Sequence, residues 1–112
     1  MTDLSVRNRL WLMKDGRSYL GEGRIALMKA IIEHGSISAA ARSMGMSYKK
    51  AWEAIDAMNS LSDKPLVLRT TGGSGGGGTE VTKAGKEAIE LYEGINTRCN
   101  QFLDSQLKTL QP

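Results

Sequence analysis

The sequence contains one cysteine, Cys99, and one histidine, His34. A lone thiol excludes an internal disulfide and fits a reducing cytoplasm. One cysteine and one histidine are also too few for a zinc centre of the usual ligand set. No apolar run approaches the ~20 residues of a membrane span, and the N-terminus carries no secretory leader pattern, so a cytoplasmic chain without membrane contact is expected. No His/Cys/Asp constellation has the spacing of a nucleophile or a metal site. The expectation is therefore no enzyme, no catalytic residue, no metal and no cofactor, with His34 an ordinary helix-end residue.

What is present is enough for one domain of 112 residues with one modest core. Apolar residues make up 40% and charged residues 24%, as in ordinary globular chains. The net charge of +3 is unevenly spread: residues 1–50 hold nine Lys/Arg against four Asp/Glu, and residues 51–112 hold six against eight. A basic front half suits a phosphate-bearing partner, although scattered solubilising charge gives the same count.

Along the chain, "SVRNRLWLMKDGRSYL" (5–20) alternates at Leu10 and Leu12 and reaches Asp15-Gly16. That dipeptide favours the paired positive φ values of a type I′ turn, so two short strands are expected. In "GEGRIALMKAIIEHG", Ile25, Met28 and Ile32 with Leu27 and Ile31 recur at helical spacing, and Gly35 stands where a C′ glycine ends a helix. Ser36 then caps a short helix through about Met44, with Ile37, Ala40, Ala41 and Met44 inward. After "GMS", Ser47 caps a second helix with Ala51, Ile55 and Met58 inward. Two small helices joined by a glycine-containing turn form a helix-turn-helix pattern, which also occurs as plain scaffolding.

The outer face of the second helix carries Tyr48, Lys49 and Lys50 in its first turn, then Trp52 and Glu53. Cations at a helix N-terminus oppose its dipole, and an anionic partner would offset that cost. In a helix-turn-helix these positions meet the major groove, where lysine reaches guanine acceptors or phosphate. Two readings of Trp52 stay open: packing half-buried against the first helix, or touching sugar and base edges. Past Lys64-Pro65, the strand-formers Leu66, Val67, Leu68 and Val81 flank a glycine run, a hairpin that would serve as a wing over 65–82.

A helix over 83–110 would span about 40 Å at about 1.5 Å per residue, too long to bury on one small domain. Ala88, Tyr92, Ile95, Cys99 and Phe102 step by four and three, the seam spacing of paired helices. Dimerisation through this seam and an ordinary intradomain helix both fit. Cys99 falls on the seam as packing and not as a reactive thiol. The fold expected is mainly α with a small β component: a winged helix-turn-helix, an N-terminal hairpin over 5–20, helices over 23–62 and a long C-terminal dimerisation helix.

"SISAAARSMGMSYKKAWEAIDAMN" followed by "LVLRTTGGSGGGGTEVTKAG" resembles the winged helix-turn-helix of LysR-type bacterial regulators, including T-x-A-G at Thr82–Gly85. More closely, "MSYKKAWEAIDAMN" with its glycine-rich wing resembles the DNA-binding half of the ModE family of molybdate-responsive repressors. The resemblance implies a homodimer bound to double-stranded DNA. It puts Ser47, Tyr48, Lys49, Lys50, Trp52 and Glu53 on the recognition helix, and Ser36 and Ser38 at the start of the preceding one. Arg69, Thr70, Gly73, Ser74, Gly75 and Gly76 fall on the wing, with Lys83 just after it. The family's molybdate-binding domains lie beyond the stretch that is similar, so no molybdate binding is expected of these 112 residues. Both a stand-alone regulator and a piece of a longer one remain open.

Six of the thirteen glycines lie within residues 72–78. Gly73, Gly75 and Gly78 spell G-x-G-x-x-G, but the β-forming "TEVT" follows where a nucleotide site needs a helix, and no G-K-[ST] is present. The composition also suits a flexible linker, yet the family resemblance puts native glycines here. A wing tip whose backbone approaches DNA closely is the reading adopted, with a slack hairpin tip as the alternative. The functional expectation is a sequence-specific DNA-binding transcriptional regulator. Its rival is a winged-helix protein-interaction module.

Overall fold

The computed structural model describes residues 3–70 and 78–111. Two short strands, β1 (Leu12–Lys14) and β2 (Arg17–Leu20), pair antiparallel through a turn in which Asp15 has φ 51° and Gly16 φ 74°. That is the expected positive-φ pair, and it matches the strands' own twist. The hairpin is shorter than residues 5–20. Before Leu12 the chain runs along the C-terminal helix instead, because the Tyr92 hydroxyl donates to the Leu10 carbonyl at 3.0 Å and Asn8 donates to Cys99 Sγ at 3.2 Å.

Helix α1 (Glu22–His34) ends at Gly35, φ 74°, whose N–H bonds the Ile31 carbonyl. Ile25, Leu27, Met28 and Ile31 are buried as expected, but Ile32 is 50% exposed. Periodicity sets an angle around the helix and not how far along its axis the cover extends. Ile32 lies one turn past Met28, where the shallow groove lined by Lys29, Lys86 and Ile89 stays open. Helices α2 (Ile37–Ser43) and α3 (Tyr48–Leu61) follow, then an antiparallel hairpin of β3 (Val67–Thr70) and β4 (Gly78–Val81), in register Val67↔Val81 to Thr70↔Gly78. Helix α4 (Lys83–Leu110) is the last of these elements.

One core joins these elements. Leu20, Leu27, Met28, Ile31, Ile55, Met58 and Val67 are essentially inaccessible, with Ala40, Ala41 and Ala51 where α2 meets α3. Three small side chains there let two short helices approach closely, as the sequence implied. The Asn59 side chain completes the join to the wing: its Oδ1 accepts from the Leu66 and Val67 amides (2.8 and 3.3 Å) and its Nδ2 donates to the Val67 carbonyl (2.9 Å). A side-chain amide thus satisfies backbone groups that β3 leaves unpaired on that edge.

The entry into α4 is built by Thr82 and Gly85. Thr82 caps the helix by accepting from the Gly85 amide and donates to the Pro65 carbonyl at 2.7 Å, while its own amide bonds the Leu66 carbonyl at 2.9 Å. A Cβ on Gly85 would collide with that same Leu66 oxygen. The T-x-A-G motif is therefore a close helix-to-strand contact that only glycine permits.

The buried residues of α4 stop at Tyr92, and the helix continues to Leu110. Its last 18 residues add about 27 Å at ~1.5 Å each. The molecule accordingly measures 63 × 30 × 21 Å with a radius of gyration of 17.0 Å, against about 13 Å for a compact chain of this length. Among the described residues no helix is long and apolar enough to cross a membrane.

Candidate nucleic-acid interface

Both helix starts expected from the sequence are capped by serine: Ser36 Oγ accepts from the Ala39 amide and Ser47 Oγ from the Lys50 amide, each at 3.1 Å. Between the helices Gly45, at φ 66°, makes the left-handed turn and the Met46 amide bonds the Ala41 carbonyl at 3.0 Å. This geometry holds the first turn of α3 clear of the body. Tyr48, Lys49, Lys50 and Glu53 are all exposed, and no acidic residue occupies that first turn. Among the described residues neither lysine has an ion-pair partner. Each cation there costs about 0.3–1 kcal/mol against the helix dipole.

The wing is pinned beside them. The Thr79 amide bonds the carbonyl of Gly35 at 3.2 Å, and the Gly78 amide bonds Thr70 Oγ1 at 2.9 Å. A Cβ on Gly78 would sit 3.1 Å from both the Gly35 oxygen and Thr70 Oγ1. A side chain at position 78 would thus crowd the point where the wing is anchored to the end of α1. Gly73, Ser74, Gly75 and Gly76 lie outside the described residues.

Between the start of α2, the start of α3 and the wing lies an open cleft of about 250 Å³, lined by Ser36, Ile37, Ser38, Tyr48, Trp52, Arg69, Thr70, Gly78 and Thr79. Six of these, Ser36, Ser38, Tyr48, Trp52, Arg69 and Thr70, were expected at the interface from sequence. The fold brings them to one concavity although they come from three separate segments. Ser47, Lys49, Lys50 and Glu53 share the exposed turn of α3, and Lys83 is exposed at the first position of α4.

Trp52 is half-buried. The Arg69 guanidinium lies over its ring with Cζ 4.0 Å from the centroid, and Tyr48 meets it edge-on at 6.3 Å and 72°. The indole Nε1 is buried without a hydrogen-bond partner among the described residues. Stacking of this kind contributes about 0.5–1 kcal/mol at an exposed site. Strand alternation explains the approach: Arg69 follows the buried Val67 by two positions, so its stem starts on the side of β3 that faces the helices. Nothing in the sequence links positions 52 and 69.

The expected dimerisation seam divides in two. Ala88 and Tyr92 are buried in the chain's own core, 9% and 4% exposed, so the seam does not begin there. They are taken by the domain because α4 lies against α1 and β4 over its first three turns, where Lys29 also pairs with Glu93 at 2.6 Å. Cys99 is half-covered through Asn8. Ile95 and Phe102 are exposed, 38% and 61%. Among the described residues no group of His, Cys, Asp and Glu is arranged to hold a metal ion.

The comparisons with known proteins agree with this geometry. The pattern of the bacterial regulatory helix-turn-helix protein, lysR family, matches residues 23–86, from the start of α1 to the T-x-A-G turn. The molybdenum transport protein ModE of Azotobacter vinelandii is 40% identical over 104 residues, 93% of this chain and 38% of that protein. The transcriptional regulator ModE of Yersinia pestis is 48% identical over 96 residues, 86% of this chain and 36% of that one. The DNA-binding transcriptional dual regulator ModE of Escherichia coli K12 is 53% identical over 70 residues, 62% of this chain and 27% of its own length. The chain spans about a third of the curated relatives it matches. With the matched pattern covering more than half of its residues, the chain belongs to the lysR family of bacterial regulatory helix-turn-helix proteins.

Proposed function

We propose that this chain binds double-stranded DNA with sequence preference and acts in transcriptional regulation in the bacterial cytoplasm, not as a catalyst. The observation that carries the reading is the exposed first turn of α3, where Lys49 and Lys50 stand at a helix N-terminus with no ion-pair partner among the described residues, on the helix whose Tyr48 and Trp52 share a cleft with Arg69 of the wing. A duplex entering here supplies the missing negative charge. Phosphate contacts then provide most of the affinity and make it salt-dependent, while the start of α3 reads base edges.

The protruding part of α4 supports a homodimer as the active form. Ile95, Phe102 and Leu110 are exposed along it, and a second copy of the helix would cover such side chains. No molybdate binding is proposed for these residues themselves, because the sensor domains of the resembled repressors lie outside the matched stretch; calorimetry with molybdate checks this.

The test begins with selection of a duplex from random sequence and continues as a titration at several salt concentrations. Alanine at Lys49 or Lys50 should weaken specific binding by about 1–3 kcal/mol where the lysine reads a base. A lysine that meets only phosphate should weaken all sequences alike and lower the salt slope by about one. Wild-type affinity in both variants at every salt concentration would remove α3 as the reading helix.

A further inference from the structure

Trp52 keeps its one polar atom, Nε1, buried and unpartnered among the described residues. It therefore offers no donor to a base or a phosphate. Its ring face is occupied instead, by the Arg69 guanidinium at 4.0 Å. Tyr48, one helical turn earlier on α3, meets the same ring edge-on and braces it. A guanidinium that stacks through its face keeps its in-plane N–H donors available at the edge. Among the described residues Arg69 has no hydrogen-bond or ion-pair partner to take them up. With its Cζ over the ring and no other partner among the described residues, Arg69 keeps N–H donors available in the cleft that Ser38 and Thr70 also line.

We infer that Trp52 is a positioning residue: its indole fixes the Arg69 guanidinium between the recognition helix and the wing, with the donor edge directed at the DNA phosphate backbone. The inference rests on the DNA-binding reading and deepens it by assigning the joint between α3 and the wing. Without the indole, Arg69 is a mobile chain on an exposed strand, and binding must order it. The cost of immobilising one such side chain corresponds to about a 2- to 10-fold change in affinity.

The experiment measures affinity for the selected duplex against salt for wild type, Arg69→Ala, Trp52→Phe, Trp52→Leu and the Arg69→Ala/Trp52→Leu double variant. Wild type failing to bind any duplex defeats the DNA-binding reading itself, before the inference is reached. Given wild-type binding, Trp52→Leu should weaken it about 2- to 10-fold, and Trp52→Phe, which keeps an aromatic face, should recover most of that loss. Arg69→Ala should lower the salt slope by about one. It should also cost a smaller factor in the Trp52→Leu background than in wild type. An equal factor in both backgrounds overturns the inference, because independent residues add.

A second measurement needs no change at Trp52. In Trp11→Phe protein, which leaves Trp52 as the sole indole, Arg69→Ala should increase acrylamide quenching of its fluorescence. Unchanged quenching shows that the guanidinium does not cover the ring, and overturns the inference.

Discussion

Replacing Gly85 with alanine adds one methyl group to the first turn of α4, and replacing Gly94 adds the same group nine residues later in the same helix. The two substitutions should have opposite signs. At Gly94 an added Cβ meets nothing within 4 Å. Helix propensity then acts alone, and Gly94→Ala should stabilise by about 0.5–1 kcal/mol. At Gly85 the new Cβ overlaps the Leu66 carbonyl oxygen and comes within 2.6 Å of Val81 Cγ1. The oxygen belongs to backbone that also accepts from the Thr82 amide at 2.9 Å and the Thr82 hydroxyl at 3.2 Å. Relief of the overlap must shift the helix and stretch both bonds. Overpacking costs about 1–3 kcal/mol and two weakened hydrogen bonds up to about 1 kcal/mol each. Alanine's propensity returns about 1 kcal/mol. The expected result for Gly85→Ala is a net loss of about 2–3 kcal/mol, or a midpoint lower by about 10 °C. Thermal and urea denaturation at one fixed protein concentration reads both variants, since self-association would otherwise shift the midpoints. A Gly85→Ala protein as stable as wild type would refute the close contact of α4 with Leu66 and Val81.

Asn59→Ala removes three hydrogen bonds to the β3 backbone and should cost about 2–3 kcal/mol in urea unfolding, with Asn59→Asp, which keeps the acceptor, falling between. Burial pushes the Tyr92 hydroxyl above its ordinary pKa of 10.0, and the Glu22 carboxylate pushes it further. The folded state therefore holds this proton more tightly: the stability it contributes is complete below pH 10 and is lost as pH rises through the elevated value. Tyr92→Phe should lose about 1 kcal/mol at neutral pH, for the Leu10 carbonyl left without its donor, and show a shallower decline than wild type in alkaline unfolding curves. Glutamate at both Ile95 and Phe102 should give monomers by sedimentation with a nearly unchanged thermal midpoint at low protein concentration; an unaltered mass would exclude this stretch of α4 as the interface.

Much of the architecture was legible from residues alone because it is made by neighbours. Ser36 and Ser47 each accept from an amide three residues on, so a few letters were enough to mark where α2 and α3 begin, whereas the same role of Thr82 at α4 emerged only from the structure. Asp15-Gly16 and Gly35 announce their turns through φ values that few other residues adopt. The paired lysines after Ser47 identified the candidate reading face for the same local reason: charge at a helix N-terminus is visible in the order of residues. The tertiary structure decided what depends on segments far apart in the chain. It placed Arg69 on the Trp52 ring, gave Asn59 to the backbone of β3, and made Gly85 a point of contact with Leu66. It also drew Ala88 and Tyr92 into the domain's own core, leaving Ile95 and Phe102 outside it. A four-three repeat states which side chains share a stripe. Which part of that stripe the chain covers itself depends on where α1, β4 and the N-terminal segment come to rest, and only their packing sets that.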